Sequence, residues 1–124
     1  MKTILIIEDD QQTQDIYKQL LESESTQIIQ ATIAQQGLDI IHKSKPDLIL
    51  LDIMLPGGTN GFDFLEQLKR DENFKSIPVI VMTNLDTEEP TAIAMGAVGY
   101  IVKTSTSLEE IKKKVLTALG SWGK

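Results

Sequence analysis

The 124-residue sequence contains no cysteine, which excludes disulfides and thiolate chemistry and favours a cytoplasmic protein. It has no apolar run long enough to cross a bilayer, so we expect no membrane contact. Its first residues lack the basic stretch, long apolar segment and small-residue cleavage site of a secretory signal. These absences predict a soluble protein that is not exported.

Basic residues are outnumbered by acidic ones. The sequence has 12 Lys and Arg against 18 Asp and Glu, a formal net charge of −6. A nucleic-acid surface needs a basic stripe, and the basic cluster at residues 112–114 lies on an amphipathic pattern beside Glu109 and Glu110. We interpret this cluster as a solvated helix face, and we expect no direct binding to nucleic acid.

What is present is typical of one α/β domain. Hydrophobic residues make up 41% of the chain, and apolar runs alternate with segments of helical period in five rounds, which predicts a parallel sheet with helices on both faces. We expect a domain over 1–120, with 121–124 as a tail or linker remnant. The predicted strands are 3–8, 27–31, 47–52, 79–83 and 99–102; the predicted helices are 11–22, 34–43, 62–71, a short one within 88–95, and 108–119.

Capping residues and apolar spacing support these helices. Asp10 or Thr13 is expected to cap the first helix, Thr32 the second, and Ser107 with Glu110 the fifth, which ends at Gly120. Apolar residues at helical spacing predict the inward faces. They are Ile16, Leu20 and Leu21 in the first helix, Leu38 and Ile41 in the second, and Phe62, Leu65 and Leu68 in the third.

Chemically active side chains stand at the carboxyl ends of four of the predicted strands. In an open α/β sheet, ligands bind outside the carboxyl ends of the strands, where these side chains would meet. Clustered carboxylates repel one another, and Mg²⁺ with its preference for oxygen ligands would hold them together. Asp52 is then the candidate nucleophile, with a lysine and a hydroxyl to bind phosphoryl oxygens. The residues are Glu8, Asp9, Asp52, Thr83 and Lys103.

The local sequences around these residues occur in the order of a known family. They are IEDD at 7–10, LDIMLP at 51–56, MT at 82–83 and GYIVK at 99–103. Along essentially its full length the chain resembles the receiver domain of two-component response regulators, with a fold like that of chemotaxis regulators. The resemblance implies a doubly wound, flavodoxin-like (βα)5 fold whose five parallel strands lie in the order 2-1-3-4-5.

The resemblance also implies a role for each site residue. Asp52 would accept a phosphoryl group from a histidine kinase or phosphotransfer protein, and Lys103 would contact the phosphoryl oxygens. The chain would assist its own phosphorylation and dephosphorylation, without being an enzyme that acts on other substrates. Mg²⁺ would be held by Glu8, Asp9, Asp52 and the backbone carbonyl of Met54.

A switch is implied as well. Thr83 would swing toward the phosphoryl group and Tyr100 would follow inward, which links the site to the face made by helix four, strand five and helix five. A downstream effector protein or a fused output domain would read that face. Phosphorylation adds charge and acceptor oxygens, and these bias a two-state arrangement.

The chain departs from the family pattern at several positions. The loop after Pro56 is one residue longer than its common form, and the stretch from Thr83 to Lys103 is about two residues shorter, which affects helix four. Asn84 stands where a small residue is usual and would narrow access to Asp52. Thr104 replaces the usual cis-proline, so we predict a trans peptide bond between Lys103 and Thr104.

Met54 and Leu85 occupy positions that shape water access to the phosphoryl group in this family. Both are apolar, which predicts slow self-dephosphorylation.

Other interpretations stay open on the sequence alone. Glu8 and Asp9 could only cap the first helix, Tyr100 could be an ordinary packing residue, and His42 is expected to be a surface residue. A phosphatase of the haloacid-dehalogenase type also uses an aspartate with Mg²⁺, but it needs a second Asp two residues later, where this chain has Met54. A receiver-like module that has lost phosphorylation is the third possibility.

Overall fold

The computed structural model describes residues 1–55 and 60–120. Five strands form one parallel sheet in the order β2-β1-β3-β4-β5, and helices connect them. The predicted doubly wound, flavodoxin-like α/β fold is therefore confirmed. The elements are β1 (Lys2–Ile7), α1 (Gln11–Leu21), β2 (Thr26–Ala31), α2 (Ala34–Lys43), β3 (Leu48–Leu51), α3 (Gly61–Arg70), β4 (Val79–Thr83), α4 (Glu89–Ala94), β5 (Gly99–Val102) and α5 (Leu108–Leu119).

The sheet is buried on both faces because its central strands are apolar at every position. In β3, Leu48 and Leu50 pack with α1 and α5 on one face, while Ile49 and Leu51 pack with α2 and α3 on the other. Successive strand residues point to opposite faces, so a continuous apolar run is needed to cover both. Each such side chain contributes roughly 1.5–3 kcal/mol on burial.

The ends of α1 and α5 agree with the predicted caps. The Asp10 carboxylate accepts the Thr13 N–H, and the Ser107 hydroxyl oxygen accepts the Glu110 N–H. Gly120 follows α5 with a left-handed φ of 83°, a conformation that suits glycine. The prediction of Thr32 as a cap was wrong, because α2 begins at Ala34 and its N-cap position falls on Ile33, which makes no side-chain cap.

The predicted inward face of α1 was partly wrong. Ile16 is 47% exposed, whereas Gln14, Tyr17 and Leu21 are buried. These three residues follow helical spacing. Because one of them is the polar Gln14, the pattern of apolar residues alone did not show which face of α1 is buried.

Helix α4 has six residues and lies inside the predicted window, with Pro90 in its first turn. The Lys103–Thr104 bond is trans as predicted, since no cis peptide bond occurs in the described ranges. The predicted insertion after Pro56 and the predicted tail at 121–124 fall on residues outside those ranges. No helix among the described residues is both long and apolar enough to span a membrane.

Candidate functional site

The sheet brings the predicted site residues to one edge. Because β3 lies between β1 and β4, and β4 pairs with β5, the residues that follow these strands are neighbours across the sheet. The last paired residues of β1 and β3 are Ile7 and Leu51, and the Asp52 N–H donates to the Ile7 carbonyl at 3.0 Å. Glu8 and Asp52 therefore leave adjacent strands at the same level.

Three carboxylates converge at this edge. Each of Glu8, Asp9 and Asp52 offers an oxygen that lies within 4.8 Å of those of the other two. Glu8 and Asp52 are buried, and Asp9 is exposed. Oxygen donors with one side open to solvent fit Mg²⁺, which binds few carboxylates and keeps several waters. The residues present thus fit the predicted metal site.

Lys103, the first residue after β5, lies against two of these carboxylates. Its Nζ is 2.5 Å from Glu8 Oε1 and 3.2 Å from Asp52 Oδ2, and 14% of its side chain is exposed. Burial alone would lower the pKa of Lys103, but the hydrogen bond to Glu8 and the charges of Asp52 and Glu8 outweigh it and raise that pKa. Lys103 is therefore a cation in the neutral pH range.

The pKa of the Glu8 carboxyl is also raised, but for a different reason. Burial raises its pKa, and the nearby charge of Asp52 adds to this effect. The hydrogen bond from Lys103 and the Asp10 N–H, 3.1 Å from Glu8 Oε2, work in the opposite direction. Burial is the larger effect, so the ionised form of Glu8 is held at an energetic cost.

Asp10, the third acidic residue in a row, is engaged elsewhere. Its Oδ2 accepts the Thr13 N–H at 3.0 Å and the Thr13 hydroxyl at 2.6 Å. These hydrogen bonds lower the pKa of Asp10. Asp10 is thus the helix cap, and the interpretation of Glu8 and Asp9 as mere caps does not apply.

The carboxylates line a cleft of about 280 Å³ that Met54 and Asn84 also border. Asp52 Oδ1 accepts the Met54 N–H at 2.9 Å, while the Met54 side chain is 60% exposed. Asn84 is exposed and lines the same cleft, and its narrowing of access to Asp52 stays a prediction. Leu85 is not among the described residues that line this cleft.

A chain of hydrogen bonds leads from the cleft to the far side of β4. The Thr83 Oγ1 accepts the Leu85 N–H at 3.3 Å, and the Leu85 carbonyl accepts the Tyr100 hydroxyl at 2.5 Å. Thr83 and Tyr100 are both buried. The backbone of Leu85 is the link that sequence reasoning missed, because no side-chain pattern reports a main-chain bond.

Tyr100 occupies a buried position in this structure, with 7% of its surface exposed. Burial raises the pKa of its hydroxyl, so the hydroxyl stays protonated and can donate near neutral pH. Whether Tyr100 moves on phosphorylation stays a prediction. His42, as predicted, is exposed, and its ring meets Phe74 edge-on at 5.0 Å between centroids.

Comparison with known proteins agrees with this geometry. The phosphate regulon transcriptional regulatory protein PhoB of Pseudomonas aeruginosa is 37% identical over 114 residues, which is 90% of this chain and 49% of PhoB. Protein PilH of the same species is 35% identical over 107 residues, which is 83% of this chain and 86% of PilH. The chain thus spans about half the length of PhoB and most of PilH.

A solved structure shows the same fold. The BeF3-activated N-terminal receiver domain of RstA from Klebsiella pneumoniae superposes with a TM-score of 0.84 and 27% identity, covering 95% of this chain and 98% of that one. The family model described as the response regulator receiver domain matches residues 4–116. The chain therefore belongs to the receiver domains of two-component response regulators.

Proposed function

We propose that Asp52 is the phosphoacceptor of a magnesium-dependent signalling switch. The observation that supports this most directly is the charge arrangement in the cleft. Three carboxylates, Glu8, Asp9 and Asp52, face one ammonium, Lys103, which leaves a net charge of −2 when all are ionised. A phosphoryl group is itself anionic, so it needs additional positive charge to approach Asp52.

Mg²⁺ held by Glu8, Asp9, Asp52 and the Met54 carbonyl would supply that charge and bind phosphoryl oxygens. The donor is a phosphohistidine of a histidine kinase or phosphotransfer protein. An Asp52 oxygen attacks the phosphorus, the phosphorus–nitrogen bond breaks, and its electron pair returns to the imidazole. Lys103, already 3.2 Å from Asp52, stays close enough to contact the transferred group.

The signal would reach the surface through the hydrogen bonds that join Thr83, Leu85 and Tyr100. If the Thr83 hydroxyl turns to a phosphoryl oxygen, the Leu85 N–H loses its acceptor, and Leu85, whose carbonyl holds the Tyr100 hydroxyl, becomes free to move. The face made by α4, β5 and α5 would then change shape for an effector protein or a fused output domain. A cytoplasmic location is part of the same proposal.

Apolar Met54 at the cleft rim supports slow self-dephosphorylation, because it offers no group to activate or orient a water. The same residue argues against the phosphatase interpretation, since it stands where a second acid would act. The measured lifetime of the phosphorylated chain tests this. A lifetime of seconds would contradict it.

The central test is adduct formation with Mg²⁺ and either acetyl phosphate or beryllofluoride. The native chain should form an adduct, Asp52→Asn should form none, and removal of Mg²⁺ should abolish it. Asp63→Asn, an exposed aspartate in the first turn of α3, is the matched control and should behave like the native chain. An adduct on Asp52→Asn, or none on the native chain, would reject the proposal.

A further inference from the structure

Gln14 is a buried polar residue that the proposed chemistry does not use. It lies in α1 with 1% of its surface exposed. Its Nε2 is 3.1 Å from the Ile6 carbonyl, 3.0 Å from the Glu8 carbonyl and 2.9 Å from the Ala31 carbonyl. The two N–H groups of this amide thus face three main-chain carbonyls, with at least one N–H shared between two of them, at the place where β1 and β2 end.

The position of these acceptors explains the need for a donor. The Glu8 N–H donates to the Ala31 carbonyl at 3.0 Å, and β2 ends at Ala31. The chain then turns away toward α2, so β2 provides no further residue beside the Glu8 carbonyl. A buried carbonyl without a donor is costly, and the Gln14 amide fills this gap.

The Glu8 carbonyl belongs to the peptide that joins Glu8 to Asp9. Its orientation therefore sets the direction in which the chain carries the Asp9 carboxylate. Glu8, Asp9 and Asp52 carry like charges within 4.8 Å of one another, and their repulsion favours any displacement of this peptide that separates the carboxylates. The hydrogen bond from the Gln14 amide to the Glu8 carbonyl opposes such a displacement.

Gln14 makes these contacts at a cost. Its Oε1 is buried and has no hydrogen-bond partner among the described residues. An unpaired buried oxygen is unfavourable, so the hydrogen bonds of Nε2 are the contacts by which Gln14 stabilises the fold. A second glutamine also links β2 to α1, because Gln30 Nε2 on β2 donates to the Gln14 main-chain carbonyl at 3.1 Å.

We propose that Gln14 is a positioning residue for the acidic pair Glu8 and Asp9. It holds the peptide between them so that both carboxylates face a divalent cation together with Asp52. This inference rests on the proposed magnesium site. Mg²⁺ demands near-ideal octahedral geometry, so small displacements of its ligands weaken binding.

The test compares Gln14→Met with Gln30→Met by calorimetric titration with Mg²⁺. Methionine keeps the length of the side chain and removes its amide. Gln14→Met should weaken Mg²⁺ binding by roughly tenfold to a hundredfold, as expected for a group that supports metal ligands. Gln30→Met should bind within about twofold of the native chain, because Gln30 contacts α1 and not the Glu8 peptide.

Urea unfolding of both variants separates positioning from stability. A folded Gln14→Met that binds Mg²⁺ as tightly as the native chain would overturn this inference alone. A native chain that binds no Mg²⁺ would overturn the proposed function and this inference together.

A second measurement on the native chain applies even if Gln14→Met does not fold. Coupling between two sites is reciprocal, so Mg²⁺ must stabilise the Gln14 contacts if those contacts favour Mg²⁺ binding. Saturating Mg²⁺ should slow hydrogen exchange of the Gln14 side-chain amide by tenfold or more. An unchanged exchange rate would overturn the inference.

Discussion

Two regions of this receiver domain hold their polar groups in different ways. In the acidic cleft, formed by Glu8, Asp9, Asp52 and Lys103, charged side chains from distant parts of the chain face one another. In the α4 segment, residues 84–98, neutral main-chain groups bond to Thr83 and Tyr100 around a helix of six residues. The cleft is organised by charge, and the segment by single hydrogen bonds.

The difference supports the proposed roles of the cleft as the region that senses phosphorylation and of the α4 segment as the region that responds. Charges close together in a partly buried site change strongly in energy when a cation or an anion is added. A short helix held by neutral bonds, each worth about 1 kcal/mol, can rearrange in response. Measurements that alter one region while monitoring the other test this division.

The largest effect is expected from Lys103→Met. It leaves the buried Glu8 and Asp52 carboxylates without their cation, so the metal-free chain should lose roughly 3–5 kcal/mol of stability. Urea unfolding at neutral pH without Mg²⁺ measures this. Lys112→Met, on the exposed side of α5, is the control and should change stability by less than about 0.5 kcal/mol. Equal losses of stability in the two variants would contradict the view that charge interactions hold the residues of the cleft in place.

Asp52→Asn should act in the opposite direction. It removes one of three mutually repelling carboxylates, so the metal-free variant should be more stable than the native chain by about 1 kcal/mol. Mg²⁺ at a hundred times its dissociation constant should stabilise the native chain by about 2.7 kcal/mol. The variant should gain much less.

Thermal unfolding with and without Mg²⁺ measures whether Asp52→Asn is more stable than the native chain without the metal and less stable with it. If Mg²⁺ stabilises both chains equally, Asp52 is not a ligand.

Tyr100→Phe tests the α4 segment. Loss of the hydroxyl that donates to the Leu85 carbonyl should cost about 1 kcal/mol of stability. The rate of adduct formation at Asp52 should stay within about twofold, since Tyr100 does not line the cleft. Nuclear magnetic resonance shifts of residues 84–98 should change less on activation than in the native chain. Tyr17→Phe, a buried tyrosine of α1 outside this segment, is the matched control and should leave the shifts of residues 84–98 as in the native chain.

The smallest effect is a pH dependence of the metal-free chain. Burial raises the pKa of Glu8 above its ordinary 4.5, so its favourable contribution is fully present below pH 4.5. That contribution is lost as the pH rises through the raised pKa. Glu8→Gln should remove this slope when unfolding is followed from pH 4 to 7. A slope that survives the substitution would assign it to another group.

Much of the fold could be predicted because its signals are local. All five strands and five helices lie within two residues of their predicted bounds, since apolar runs and caps such as Asp10 and Ser107 act over a few residues. Two predictions were wrong because the residue chosen lay at a neighbouring position: Ile16 as an inward residue of α1 and Thr32 as the cap of α2. The buried stripe of α1 contains a glutamine, and α2 begins one residue too late for Thr32 to cap it.

The sequence by itself determined which residue types stand at the carboxyl ends of four strands, and the carboxyl-end rule for parallel sheets then grouped Glu8, Asp9, Asp52, Thr83 and Lys103. The tertiary structure decided between two interpretations that the sequence left open, because Asp10 caps α1 while Asp9 joins the carboxylate group. It also decided that the Leu85 backbone joins Thr83 to Tyr100, and that Gln14 holds the Glu8 peptide. These contacts depend on main-chain donors and acceptors, whose positions are set by the packing of distant elements and leave no residue-type signal in the sequence.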